Sequence, residues 1–195
     1  MCLFVETIAI EDGKAPLLHL HSERLNRTRA EVFGLTDRID ISEHITLSSC
    51  RGTTKCRVVY GAEIESVTYS PYRIRPVQSL KTVTDNDIDY RLKSVDRSPI
   101  DTLFATRGVC DDILIIRDGL VTDTSIANIA LFDGQRWHTP QEPLLAGVRR
   151  SSLIAEGIVE ERRIEATDIK NYRRIALFNA MIGFGEIVLP TECIE

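Results

Sequence analysis

The chain has 195 residues, of which 43% are hydrophobic and 27% charged. That is the balance of a globular protein with enough apolar material for a core, and it excludes a disordered chain, a collagen-like chain and a stapled mini-protein. The formal charge of -5, from 24 basic against 29 acidic residues, argues against broad nucleic-acid binding, which needs a clustered basic face. Only five of the basic residues are lysines, so the lysines available for covalent chemistry form a short set. Five cysteines (Cys2, Cys50, Cys56, Cys110, Cys193) are odd in number and contain no CxxC pair. Neither a disulfide framework nor a metal site is indicated, and reduced, mostly buried thiols in a cytoplasmic protein are expected. The opening MCLFVETIAIEDGK meets acid by position 6 with no basic leader, so it does not read as a signal peptide. No apolar run approaches the roughly 20 residues of a membrane helix, so no membrane partner is expected.

In chain order, residues 3–10 are rich in β-branched and aromatic types and end at Asp12-Gly13. With the apolar stretch 16–20 they read as a β-hairpin. Leu25, Ala30 and Phe33 have helical spacing within 22–33, with Gly34 as the stop, and a weaker helical stretch covers 40–49. Residues 55–60, 64–70 and 75–83 read as three strands, and the acidic, turn-like 84–89 divides two sub-domains, 1–84 and 85–195. Ser98-Pro99 followed by Asp101 is a helix start: an N-cap, a proline at N1 and a carboxylate in the first turn. That helix is expected to run to Gly108. Strands follow at 112–116 and 127–132, with turns at Asp118-Gly119 and at Asp133-Gly134, the latter a hairpin to 135–139. A helix over 148–156 closes at Gly157, and the end alternates strand (159–166), short helix (168–172) and strand (174–179). Hairpins with interspersed helices indicate an α+β or mixed α/β fold rather than a regular parallel sheet.

Two segments carry candidate chemistry. In Leu145-Ala-Gly-Val-Arg-Arg-Ser-Ser152 a glycine precedes a helix start, whose free amides and dipole suit a phosphate, with Arg149 and Arg150 adding positive charge. An ordinary capped helix with a solvated basic turn fits the same residues. In Arg91-Leu-Lys93-Ser-Val-Asp-Arg97 flanking cations disfavour the lysine's ammonium form and favour a nucleophile toward aldehydes. A surface basic cluster has the same pattern. The four histidines (His19, His21, His44, His138) lack metal-ligand spacing.

Read in order, these blocks resemble the class IV (fold-type IV) pyridoxal-phosphate enzymes, which include branched-chain and D-amino-acid aminotransferases and 4-amino-4-deoxychorismate lyases. Phe4-Val-Glu-Thr-Ile8 begins the match, and His21-Ser-Glu-Arg24-Leu25 is similar to the family's H-x-x-R-L, which implies that Arg24 grips the cofactor phosphate. Leu92-Lys93-Ser-Val-Asp-Arg97 resembles the lyases' L-K-x-x-N-R, which implies that Lys93 carries the cofactor as a Schiff base and acts as the catalytic base. Gly119-Leu-Val-Thr-Asp-Thr-Ser-Ile-Ala-Asn-Ile129 is similar to G-x-V-T-E-x-(S/C)-x-x-N-(I/L). Asp123 then takes the place of the glutamate that pairs with the pyridine nitrogen, and Asn128 is a further cofactor contact. Ala146-Gly-Val-Arg-Arg150 resembles the G-(I/V)-x-R helix start, which implies phosphate-holding amides at Val148 and Arg149. Phe178-Asn-Ala-Met181 resembles the lyases' C-N-A-L-M, which places Asn179 and Ala180 at the cofactor.

The resemblance implies pyridoxal 5'-phosphate as cofactor, a homodimer, and two sub-domains of the D-amino-acid aminotransferase-like architecture, with each active site between them. The lyase-like blocks favour elimination of pyruvate from a 4-amino-4-deoxychorismate-type substrate. Alternatives are an aminotransferase of a branched-chain or D-amino acid, and a non-catalytic member that binds a phosphorylated ligand. Three departures stand out. Asp123 is one methylene shorter than the usual glutamate, Asp96 stands where the lyases have Asn, and the stretch from Tyr60 to Lys93 is short. Tyr69, Tyr72, Arg73 and Arg75 are its candidates for gripping substrate.

Overall fold

The first strand, β1 (Phe4–Glu11), is laid down by a run of β-branched and aromatic residues whose alternate members Phe4, Ile8 and Ile10 enter one core. In the computed structural model, which describes residues 2–47 and 52–195, β1 turns at Asp12 (φ 47°) and Gly13 (φ 77°). The expected hairpin does not follow. Residues 18–33 form α1 (Leu18–Phe33), which starts inside the segment expected as a strand. Its buried His21, Leu25, Thr28 and Arg29 recur at helical spacing, and that period overrides the short apolar run. Gly34 ends α1 in the left-handed region, its N–H donating to Ala30 O.

The partner of β1 is instead β2 (Thr53–Tyr60), antiparallel from Phe4↔Tyr60 to Glu11↔Thr53, followed by β3 (Ile64–Pro71) in the order β1-β2-β3. α1 packs on this sheet through Leu25 and Phe33. Of the helix expected over 40–49, a single 3-10 turn, Ile41–Glu43, forms. Its remaining residues to Leu47 are irregular, and Ser48, Ser49 and Cys50 lie outside the described residues. The other four cysteines form no disulfide.

The chain divides into two units, residues 1–74 with 92–96, and residues 75–91 with 97–195. The division expected at 84/85 therefore moves. The reason is β4 (Leu80–Thr84), which pairs in parallel with β5 (Asp112–Arg117) from Leu80↔Asp112 to Thr84↔Ile116. Residues 75–79 do not extend β4. Pro76 has no N–H to give a ladder, and Gln78 N donates to Asp111 Oδ2 at 2.8 Å. Residues 92–96 return to the first unit, where Val5 N donates to Lys93 O (3.1 Å) and Val95 N to Leu3 O (2.9 Å).

In the second unit, α2 (Ser98–Ala105) takes Arg97 as its cap residue, so Ser98 is already helical and the helix ends before Gly108. β5 pairs with β6 (Leu120–Thr124), a polar strand that carries Asp123 and that no apolar alternation announces. A five-stranded sheet has the order β11-β10-β7-β8-β9. Its strands are β7 (Asn128–Phe132), β8 (Trp137–Pro140), β9 (Glu160–Arg162), β10 (Arg174–Phe178) and β11 (Ile187–Pro190). The Asp133-Gly134 hairpin joins β7 to β8 as expected. β9 keeps only three of the residues expected as a strand, and 166–171 form a 3-10 turn. α3 (Val148–Ala155) follows Gly147. The whole is a mixed α/β fold.

Candidate active site

In the first unit, β1 and α1 bring three sequence-singled segments together. Glu6 is fully buried and alternates with Phe4 and Ile8 on the face toward α1. Arg24 Nε donates to Glu6 Oε1 at 2.8 Å, Arg24 Nη2 to Oε2 at 2.5 Å, and His21 Nδ1 lies 2.6 Å from Oε2. Burial pushes the Glu6 carboxyl upward, but the Arg24 charge and hydrogen bond, with His21, overcome it and hold the pKa at about 2. His21 is held below its usual value, chiefly by burial, with Glu6 opposing and the Arg24 and Lys93 charges adding to the depression. It is therefore neutral at pH 7, with Nδ1–H toward Glu6 and Nε2 buried without a hydrogen-bond partner among the described residues. Lys93 is half-buried, its backbone in the left-handed region at φ 57° and its carbonyl anchored by Val5 N. For a non-glycine residue that conformation is uncommon and costly, and such strain clusters at functional sites.

In the second unit, Asp123 is placed by β6 and is 5% exposed. Asn128 Nδ2 donates to its Oδ1 and Leu145 N to its Oδ2, both at 2.9 Å, while Asn128 Nδ2 also donates to Leu145 O at 2.8 Å. Burial raises the carboxyl to about 6, against the lowering by Asn128, the Leu145 amide and the Arg150 charge. Gly147 caps α3 with no side-chain hydrogen bond, and a Cβ there would fall 2.0 Å from Asn128 Oδ1. One network thus joins a buried acid to a helix start whose first amides no side chain caps.

Both arginines beside that helix start are also tied down by hydrogen bonds. Arg149 Nε donates to Asn179 O and Nη2 to Ala180 O, each at 3.2 Å. Arg150 is buried and donates to Pro140 O (2.8 Å) and Glu161 Oε1 (2.6 Å). The two arginines flanking Lys93 in sequence each meet a carboxylate, Arg91 near Asp89 at 3.8 Å and Arg97 near Asp101 at 3.7 Å, so neither stands as an unneutralised cation. Asn179 is bound into its turn, Oδ1 accepting from Met181 N and Ile182 N while Nδ2 donates to Ile126 O.

Of the candidates for gripping substrate, Tyr69 Oη accepts from Thr46 N at 2.6 Å and Arg75 pairs with Asp112 at 3.0 Å. Arg73 is exposed. Glu6 lies within the block Phe4-Val-Glu-Thr-Ile8, to which the resemblance attaches no role. Its signal is local: a carboxylate at the position where β1 otherwise repeats apolar residues. Among the described residues no three His, Cys, Asp or Glu side chains cluster as a metal would require, and no helix is long and apolar enough to cross a membrane.

These groups suit a phosphorylated pyridine. A carboxylate fully desolvated and raised to about 6 is stabilised by a cation placed against it, and a glycine-led helix start presents amides to an anion. A family profile described as Amino-transferase class IV matches residues 62–189. The chain is 39% identical over 183 residues to an uncharacterized protein of Haemophilus influenzae, covering 91% of this chain and 97% of that one. Among solved structures, a Haemophilus somnus chain provisionally named a 4-amino-4-deoxychorismate lyase is 33% identical, with a TM-score of 0.88 over 94% of this chain and 98% of that one. A hypothetical aminotransferase from Mycobacterium tuberculosis, in its PLP-bound form, shares the fold with a TM-score of 0.76 at 18% identity, over 99% of this chain and 81% of that one. Members of the matched family use pyridoxal 5'-phosphate. By both the extent of the profile match and the identity to the Haemophilus chains, the protein belongs to the Amino-transferase class IV family.

Proposed function

We propose that the protein is a pyridoxal-phosphate-dependent enzyme that eliminates pyruvate from a 4-amino-4-deoxychorismate-type substrate, working as a homodimer through Lys93. The observation that carries this reading is the network of Asp123, Asn128, Leu145 and Gly147. It couples a buried acid short of a cation to an uncapped helix start, the two ends a phosphorylated pyridine needs. When bound, the cofactor supplies an aldehyde for a lysine and a protonated ring that withdraws electrons from the substrate's α-carbon. Asp123 would keep the proton on the ring nitrogen. The amides of Val148 and Arg149 and the guanidinium of Arg24 are the groups that would hold the phosphate. Arg149's side chain fastens α3 to the carbonyls of Asn179 and Ala180, which keeps those amides in place beside the residues assigned to the pocket wall. Lys93 is the residue that would condense with the aldehyde, with loss of water, and its amine, once released by the substrate, would carry the proton at the α-carbon.

Elimination is favoured by the lyase-like block from Lys93 to Arg97 and by the provisional name of the Haemophilus somnus relative. Amino transfer is the second reading, favoured by the description of the family profile itself. Loaded protein mixed with 4-amino-4-deoxychorismate should release pyruvate and 4-aminobenzoate in equal amounts. Transfer of an amino group from a branched-chain or D-amino acid to 2-oxoglutarate, without pyruvate release, would make the second reading the correct one. Neither product leaves the non-catalytic reading.

A further inference from the structure

A carboxylate, a guanidinium and an imidazole occupy the interior of the first unit's core. Glu6 is fully buried, His21 is 1% exposed and Arg24 6% exposed. Phe4, Ile8 and Ile10 fill the same face of β1 with apolar groups. An apolar residue in place of Glu6, with an apolar partner in α1, would pack there at no loss, because a buried ion trio returns little more than its own desolvation cost. Stability therefore does not account for the trio.

Its geometry does something apolar packing cannot. Glu6 engages Arg24 through Nε and Nη2, one bond to each oxygen, at 2.8 and 2.5 Å. Two parallel charge-assisted bonds fix the plane of a guanidinium as well as its distance. The third bond, between His21 Nδ1 and Glu6 at 2.6 Å, fixes the carboxylate in turn. With His21 neutral the trio carries no net charge, so Glu6 cancels part of the attraction that Arg24 would exert on an anion. A residue that weakens attraction but fixes orientation is a pre-organising group.

We infer that Glu6 is the positioning residue of Arg24: its carboxylate, braced by His21, sets the guanidinium plane so that the edge away from Glu6 meets the cofactor phosphate in one orientation. The inference rests on the reading of Arg24 as a phosphate ligand given above. It makes a prediction opposite to simple electrostatics. Removing the Glu6 charge leaves Arg24 more strongly cationic, which alone would tighten phosphate binding, whereas loss of orientation loosens it.

The experiment is a visible-absorbance titration of the cofactor-free protein with pyridoxal phosphate, and in parallel with pyridoxal, which lacks the phosphate. Glu6→Gln should weaken pyridoxal phosphate about tenfold or more, the scale of one charge-assisted hydrogen bond, and leave pyridoxal within about twofold. In an Arg24→Met background Glu6→Gln should change nothing further, since positioning acts only through Arg24. Should Glu6→Gln fail to fold, Glu6→Asp keeps the charge and withdraws the carboxylate by one methylene, and it should show the same selective weakening. Unchanged or tighter pyridoxal phosphate binding overturns the inference. So does equal weakening of both ligands, or an effect that persists without Arg24, because each marks a structural role. An Arg24→Met protein that holds pyridoxal phosphate like the wild type overturns the phosphate role of Arg24 together with this inference. A weakened Arg24→Met protein beside an unaffected Glu6→Gln protein overturns this inference alone.

Discussion

Asn128 Oδ1 stands 2.0 Å from the position a Cβ on Gly147 would take, while Nδ2 of the same side chain donates to Asp123 at 2.9 Å. The absence of a side chain at Gly147 is thus what lets Asn128 reach the buried acid. Its φ of -70° is open to any residue, so the constraint is one of space alone.

Gly147→Ala should therefore displace Asn128 and leave Asp123 short of a donor. We expect a loss of about 2 kcal/mol in stability and about tenfold weaker pyridoxal phosphate binding, read by urea unfolding and absorbance titration. Unaltered cofactor binding in the alanine variant would contradict the role given to this network.

The raised pKa of Asp123 makes a signed statement about pH. Its folded value of about 6 lies above the ordinary aspartate value of 3.8, so the folded state holds the proton more tightly. The group's contribution is most favourable below about pH 3.8 and is lost as pH rises through 6. Asp123→Asn should therefore fare better relative to the wild type at pH 8 than at pH 4, by about 1–3 kcal/mol in cofactor-free protein. Urea midpoints at the two pH values test this, and equal relative effects at both would count against it. The same variant should bind the cofactor but turn over far more slowly.

Glu6 works in the opposite sense. Its folded value of about 2 lies below the ordinary glutamate value of 4.5, so it contributes stability above pH 4.5 that is lost as pH falls toward 2. His21, also lowered from 6.5, loses its contribution as pH drops below that value, because the unfolded chain takes the proton first. Glu6→Gln should cost about 3 kcal/mol at pH 7 and progressively less in acid. A cost independent of pH would show that the carboxylate charge is not what Arg24 requires.

Arg29 is another buried cation in α1, with no part in the proposed chemistry. At 0% exposure it donates to Ala62 O and Asp37 O, both at 2.7 Å, and to Asp37 Oδ2 at 2.8 Å. It ties the helix to the loop after Gly34 and to the β2–β3 turn. Arg29→Met should cost about 2–4 kcal/mol by orphaning those carbonyls, measured by thermal unfolding, while leaving pyridoxal phosphate binding of the folded fraction unchanged.

Much of this was legible where the signal is local. Gly34 and Gly157 stop their helices at positive φ, and Asp133-Gly134 turns a hairpin, because backbone chemistry of a few residues decides each. The partner of β1 was not legible, since the hairpin signal at Asp12-Gly13 is satisfied by the turn itself while the pairing goes to a strand that begins at Thr53. β6 was missed because Thr122, Asp123 and Thr124 are all buried polar residues, which alternation cannot reveal. At the site, the residue types came from a resemblance and from the glycine-led helix start. What Arg149 and Arg150 do was not readable, because their partners, the carbonyls of Asn179, Ala180 and Pro140, come from other parts of the chain.

The proposed chemistry turns on Lys93 as the residue that bonds to the cofactor. Loading the protein with pyridoxal phosphate, reducing with borohydride and mapping the added mass by peptide mass spectrometry tests it directly. The reduced adduct is expected on the peptide that contains Lys93 and should be lost in Lys93→Ala. An adduct on Lys14, Lys55, Lys81 or Lys170 instead, or no adduct at saturating cofactor, would contradict it.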